Sequence, residues 1–147
     1  MKDVPGITVF SQPCTADGTY DSNYWLTTIL LDDHLKVKNE ERAYAEAVSG
    51  AIGGVASTVH CNGLVHTDCE PNRNVEAMRL ALDDAGIESR PLWKPMHKHP
   101  VYRDSVAYVN GVSESLFKQG LCLPSGPMVT DDDVRMISDT IIQALAS

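Results

Sequence analysis

A chain of 147 residues with 43% hydrophobic side chains is long enough for one domain with its own core. No apolar run reaches the roughly 20 residues of a membrane-spanning helix, and no apolar leader follows Met1-Lys2-Asp3, so neither a membrane protein nor a signal peptide is read and the expected setting is the cytoplasm. The net charge of −8 argues against a general nucleic-acid binder, which would present a basic face.

Ile7-Thr8-Val9-Phe10 is a short β-type run between Pro5-Gly6 and Gln12-Pro13. Cys14 to Ser22 is polar and reads as a loop. Asn23 to Leu31 is rich in β-branched and aromatic residues and is expected to be a central strand ending at Asp32-Asp33. Lys36 to Glu46 is charged and suits a short helix. Ala47 to Thr58 carries three glycines and no clean period, so an irregular insertion is expected over about 33–71, with a weak hairpin signal at Gly53-Gly54. His60, Cys61, His66 and Cys69 are zinc-ligand types. Adjacent His60 and Cys61 would point in different directions, so ordinary loop residues and no metal site are expected. The four cysteines, with Cys14 and Cys122, form no Cys-x-x-Cys pair and fit free thiols.

From Asn72 the pattern sharpens. Asn72 or Asn74 can cap a helix over 74–85, with Glu76 in its first turn and Val75, Met78, Leu82 and Ala85 as its apolar face. Gly86 stops it. Ile87 to Arg90 is extended. After an irregular stretch from Tyr102 to Gly111, Ser113 is expected to cap a helix to Gln119, with Leu116 and Phe117 inward and Gly120 as its stop. Leu121-Cys122-Leu123-Pro124 reads as a strand and Ser125-Gly126-Pro127 as a turn. Thr130 opens a last helix, with Asp133 in a capping-box position and Val134, Ile137, Ile141 and Leu145 as its stripe. The order predicts an α+β fold: a small, mostly antiparallel sheet covered by helices on one side.

The candidate site is Arg90 to Pro100. Three prolines in these eleven residues predict a stiff, extended connection. It carries Arg90, Trp93, Lys94, His97, Lys98 and His99, the one concentrated basic segment of an acidic chain. Such a loop suits an anion with a flat apolar part, such as a nucleotide-linked phosphate; the plainer reading is a solvated loop with Trp93 in the core. There is no GxSxG elbow, P-loop or GxGxxG, and the carboxylates cluster at helix starts. His97 has the chemistry of an acid or base but no visible partner. The pattern is one side of a binding site, with no catalytic residue expected in this chain.

Arg90-Pro91-Leu92-Trp93-Lys94-Pro95-Met96-His97, followed by Pro100-Val101-Tyr102, Leu116-Phe117, Gly120 to Gly126 and Thr130 to Asp133, resembles the C-terminal part of the DegT/DnrJ/EryC1/StrS family. Asn23 to Thr28 and Ile87 to Arg90 resemble it too, so the likeness covers about 4–32 and 72–146. The family's members are pyridoxal-phosphate-dependent aminotransferases acting on nucleotide-linked keto-sugars. The likeness is nearest to those making 4-amino sugars of the UDP-bacillosamine type for surface glycans and polysaccharides.

The resemblance implies the small C-terminal domain of a fold-type I enzyme. The large domain with the Schiff-base lysine, ring-stacking residue, acidic partner and phosphate-binding groups is missing. It implies that the segment Arg90 to His97 borders the sugar nucleotide, with His97, Lys94 and Trp93 as substrate-side contacts and Arg90 as either a further contact or a structural ion pair. It further implies glutamate as donor, a homodimer when full length, and no cofactor or activity in the isolated chain. The alternative is a free-standing α+β module that binds a nucleotide-sugar or a protein partner without catalysis.

Overall fold

The computed structural model describes residues 4–10, 25–43 and 69–146. The expectations for Cys14 to Ser22, for Ala47 to Thr58 and for His60, Cys61 and His66 lie outside them.

Among the described residues, four strands form one sheet: β1 (Ile7–Phe10), β2 (Thr27–Leu31), β3 (Arg90–Pro91) and β4 (Gly120–Leu123), in the order β1-β2-β4-β3. Every pairing is antiparallel, with Ile7 opposite Leu31, Ile29 opposite Leu121 and Arg90 opposite Cys122. Side chains alternate across a strand. Ile29, Leu31, Leu121 and Leu123 therefore share a face, and all four are buried. Helices α1 (Arg73–Asp84) and α3 (Asp131–Ala144) pack against each other and close this core with Val75, Met78, Leu82, Ile137 and Ile141. The α+β architecture expected from the element order is what folds.

The departures have local causes. The central strand is shorter than expected: Trp25 and Leu26 lie outside the ladder, and Asn23 and Tyr24 lie outside the described residues. Within Lys36 to Glu46, helix is described at residues 40–43. Before it, Val37 bridges Leu145, the Lys38 N–H donates to the Ala144 carbonyl at 2.8 Å, and the Ala146 N–H donates to the Lys36 carbonyl at 3.0 Å. Leu145 is thus drawn off the end of α3 to pair with an extended segment. In α3, Val134 is 51% exposed, because only Ile137, Ile141 and Ala144 turn fully inward. The Thr130–Asp133 capping box forms as the spacing predicts.

At α1, Asn72 occupies the cap position without capping; its side chain donates to Asp33 Oδ1 at 2.6 Å. Asn74 is buried and donates to the carbonyls of Asp32 and Leu35, clamping the end of β2 to the helix. Ala85 is exposed, and Gly86 follows in the left-handed conformation that ends the helix. Helix α2 (Val112–Gln119) starts one residue before the expected cap: Gly111, at φ +82°, holds the cap position and Ser113 lies in the first turn.

The proline segment is extended only to Pro95. Two 3-10 turns follow, Met96–Lys98 and Pro100–Tyr102. Prolines are tolerated there because their bonds are donated by Lys98, His99, Tyr102 and Arg103, none of them a proline.

Gly120 begins β4 against this segment. A Cβ there would lie 2.1 Å from Leu92 Cδ1 and 2.6 Å from the Leu116 carbonyl oxygen. Leu92 can swing aside, but the Leu116 backbone cannot. Gly120→Ala is expected to destabilise the chain by about 1–3 kcal/mol, the usual scale of overpacking, read as a lower denaturant midpoint at unchanged slope.

Candidate functional site

The sheet aims the loop. Pro91 pairs with Leu121, and the Leu92 N–H donates to the Gly120 carbonyl at 3.2 Å before the chain leaves the ladder. Each candidate cation then meets a carboxylate. Arg90 is exposed and bonded to Glu88 at 2.6 Å. Lys94, only 16% exposed, lies 3.3 Å from Glu70 and 6.0 Å from the centroid of the buried Phe117 ring. His97 Nε2 lies 2.8 Å from Glu114 Oε1, and Lys98 Nζ 3.5 Å from Glu114 Oε2. His99 Nε2 meets the Lys94 carbonyl at 3.2 Å.

The structure thus brings Lys94, His97, Lys98 and His99 together around α2, while Arg90 stays apart on its own strand. Lys98 and His99 help fix the loop's shape through Glu114 and the Lys94 carbonyl. Glu114 reads in the sequence as a helix-dipole residue. Its tertiary role as acceptor for two loop residues has no local signal. Glu70 is equally silent.

Trp93 is not in the core. It is 66% exposed and stacks on Trp25, itself 68% exposed, with ring centroids 5.8 Å apart and planes at 30°. Trp25 was legible only as part of a β-type run. The Ser125 hydroxyl donates to its carbonyl at 2.9 Å and holds its backbone to the turn after β4.

The hydrogen bond with His97, supported by Lys98, holds the Glu114 carboxyl below its usual range. Burial pushes the Cys69 thiol up, Glu114 adding to it, and burial likewise raises Cys122. Among the described residues no group of three His, Cys, Asp or Glu is placed to hold a metal.

Nor do these residues fit pyridoxal phosphate, which needs a lysine in a pocket beside a ring-stacking group. Lys94 and Lys98 are ion-paired, and Lys38 donates to the Gln143 carbonyl at 2.6 Å. Two open clefts, one between α1 and α3 lined by Lys38 and one beside residues 36–42 lined by Lys36, have no aromatic ring among their described walls.

A four-stranded antiparallel sheet, two packed helices and a proline loop projecting stacked indoles define a small α+β domain. The DegT/DnrJ/EryC1/StrS aminotransferase family model matches residues 41–142. The chain belongs to that family.

Over 125 residues it is 38% identical to the pyridoxal phosphate-dependent aminotransferase EpsN of Bacillus subtilis, covering 82% of this chain and 22% of that protein. It is 29% identical over 119 residues to GDP-perosamine synthase of Vibrio cholerae, covering 72% and 32%. The crystal structure of an aminotransferase, TlmJ of Streptoalloteichus hindustanus, superposes on 98% of this chain and 27% of its own, with a TM-score of 0.61 at 17% identity. That likeness speaks to fold alone. The chain spans 22% to 32% of the length of the two sequence relatives.

A carboxyl held low when folded stabilises the fold above its unfolded value, and that contribution is lost as pH falls through the folded value. Denaturant midpoints of the wild type are therefore expected to fall as pH drops below the ordinary carboxyl value of 4.5, and Glu114→Gln to flatten that part of the decline. Equal slopes for the two proteins would show that the Glu114 couple does not hold the loop.

Proposed function

We propose that this chain is the C-terminal small domain, with an insertion at about 33–71, of a pyridoxal-phosphate-dependent aminotransferase. It works in the cytoplasm on a nucleotide-linked 4-keto-6-deoxy sugar of the UDP-bacillosamine type, destined for surface glycan or polysaccharide. Glutamate is the amino donor and the working form is a homodimer. The observation that carries this reading is the family match across residues 41–142. Two relatives support it, one named a pyridoxal phosphate-dependent aminotransferase and the other for a GDP-linked product.

Bound pyridoxal phosphate supplies the electron sink for moving an amino group. A separate, lysine-bearing large domain of the whole enzyme would hold it. The contribution of this chain is a preformed wall on the substrate side. Trp93 meets the sugar or the base. Lys94 or His97 meets the diphosphate through charge-assisted hydrogen bonds. Because His97 Nε2 is engaged by Glu114, that contact falls to Nδ1, which can donate to an anion only when the ring carries both protons. Arg90, ion-paired with Glu88, is the remaining candidate contact.

The test is an absorbance titration of the purified chain with pyridoxal phosphate, followed by glutamate, alone and then with the lysine-bearing large domain of a relative. A visible cofactor band that bleaches with glutamate is expected only in the mixture, together with amination of the keto-sugar. A stoichiometric, glutamate-sensitive band from the chain alone would overturn the reading.

A further inference from the structure

Trp25 and Trp93 are the chain's two tryptophans, and they stand together with each residue about two thirds exposed. Tryptophan is the side chain with the most apolar area to hide, so two of them exposed at one spot mark a surface that meets either a ligand or another part of the protein. Their supports are firm. Trp25 is held by Ser125, while Trp93 is bracketed by Pro91 and Pro95 and flanked by Leu92, which bonds to Gly120, and by Lys94, which meets Glu70. Centroids 5.8 Å apart put the rings in contact with each other, so a third ring stacks on their outer faces and does not enter between them. The neighbouring cations share carboxylates, so stacking adds a means of recognition that does not depend on charge.

We infer that Trp25 and Trp93 together form a platform that binds the flat, uncharged ring face of a pyranose or nucleobase. This rests on the sugar-nucleotide reading above and adds Trp25 to the site.

With no other tryptophan present, intrinsic fluorescence of the full chain reports on the pair directly. The probes are uridine, free glucose, UDP-glucose and inorganic diphosphate. Saturable quenching by UDP-glucose is expected, matched by uridine if the base stacks or by glucose if the sugar does. Trp25→Ala, monitored by quenching of Trp93, is expected to weaken it about tenfold or more, the scale of one lost stack, and Trp25→Phe to retain most of it. Far-UV circular dichroism confirms that each variant is folded.

Quenching by diphosphate alone would overturn the platform, as would equal affinity in Trp25→Ala or no saturation with any ring. A change of oligomeric state in Trp25→Ala without loss of ring binding would also overturn it, making the patch a protein contact. Ring binding by a chain that never supports amino transfer with a large domain would sink the aminotransferase reading and leave the platform standing.

Discussion

The site depends on a missing side chain. Gly120 lets Leu92 and the Leu116 carbonyl close onto the first residue of β4, at distances no Cβ would permit. That contact ties three things into one rigid corner: the end of α2, the start of β4 and the exit of β3. The proline segment leaves from this corner, so its direction is set by backbone already held in the sheet. Asp33 braces the corner from the other side, accepting from Asn72 before α1 and from Gln119 at the end of α2. Loops that carry function are commonly held this way, on a scaffold whose own stability lies elsewhere. Here that stability sits in the core that β2 and β4 share with α1 and α3.

Much of the frame was legible because it is written in local rules. The run Ile7–Phe10 folds over those same four residues, and Thr130–Asp133 closes its box. The helix from Asn72 to Gly86 has its period, its acidic first turn and its glycine stop. The errors arose where a local rule met a tertiary one. Val134 matches the spacing of a buried stripe, yet it stays half exposed while Ile137, Ile141 and Ala144 are buried. Leu145 continues the period but leaves the helix to pair with Val37. Asn72 is a good cap by type, and its amide goes to Asp33 instead.

The site was legible as a segment but not as an arrangement. Proline spacing and the run of cations single out Arg90 to Pro100 with no structure in hand. What the cations touch cannot be read there, since Glu70 lies 24 residues before Lys94 and Glu114 lies 17 residues after His97. The two indoles meet across an even longer separation. Pairings of that kind are decided by how the sheet and α2 bring distant segments together, and no periodicity records them.

The neutralised loop has a consequence for how a ligand arrives. A cleft lined by one sign of charge draws an opposite charge from a distance and can speed encounter by roughly ten- to a thousandfold. This surface has little such reach. Its cations are matched by Glu70, Glu88 and Glu114, and the chain around it carries a net charge of −8. An anionic ligand would approach by unaided diffusion, and mildly against the field. Long-range attraction would have to come from another surface, and this domain would act only after contact. Its influence would then lie in how long a captured ring stays, and so in the dissociation rate.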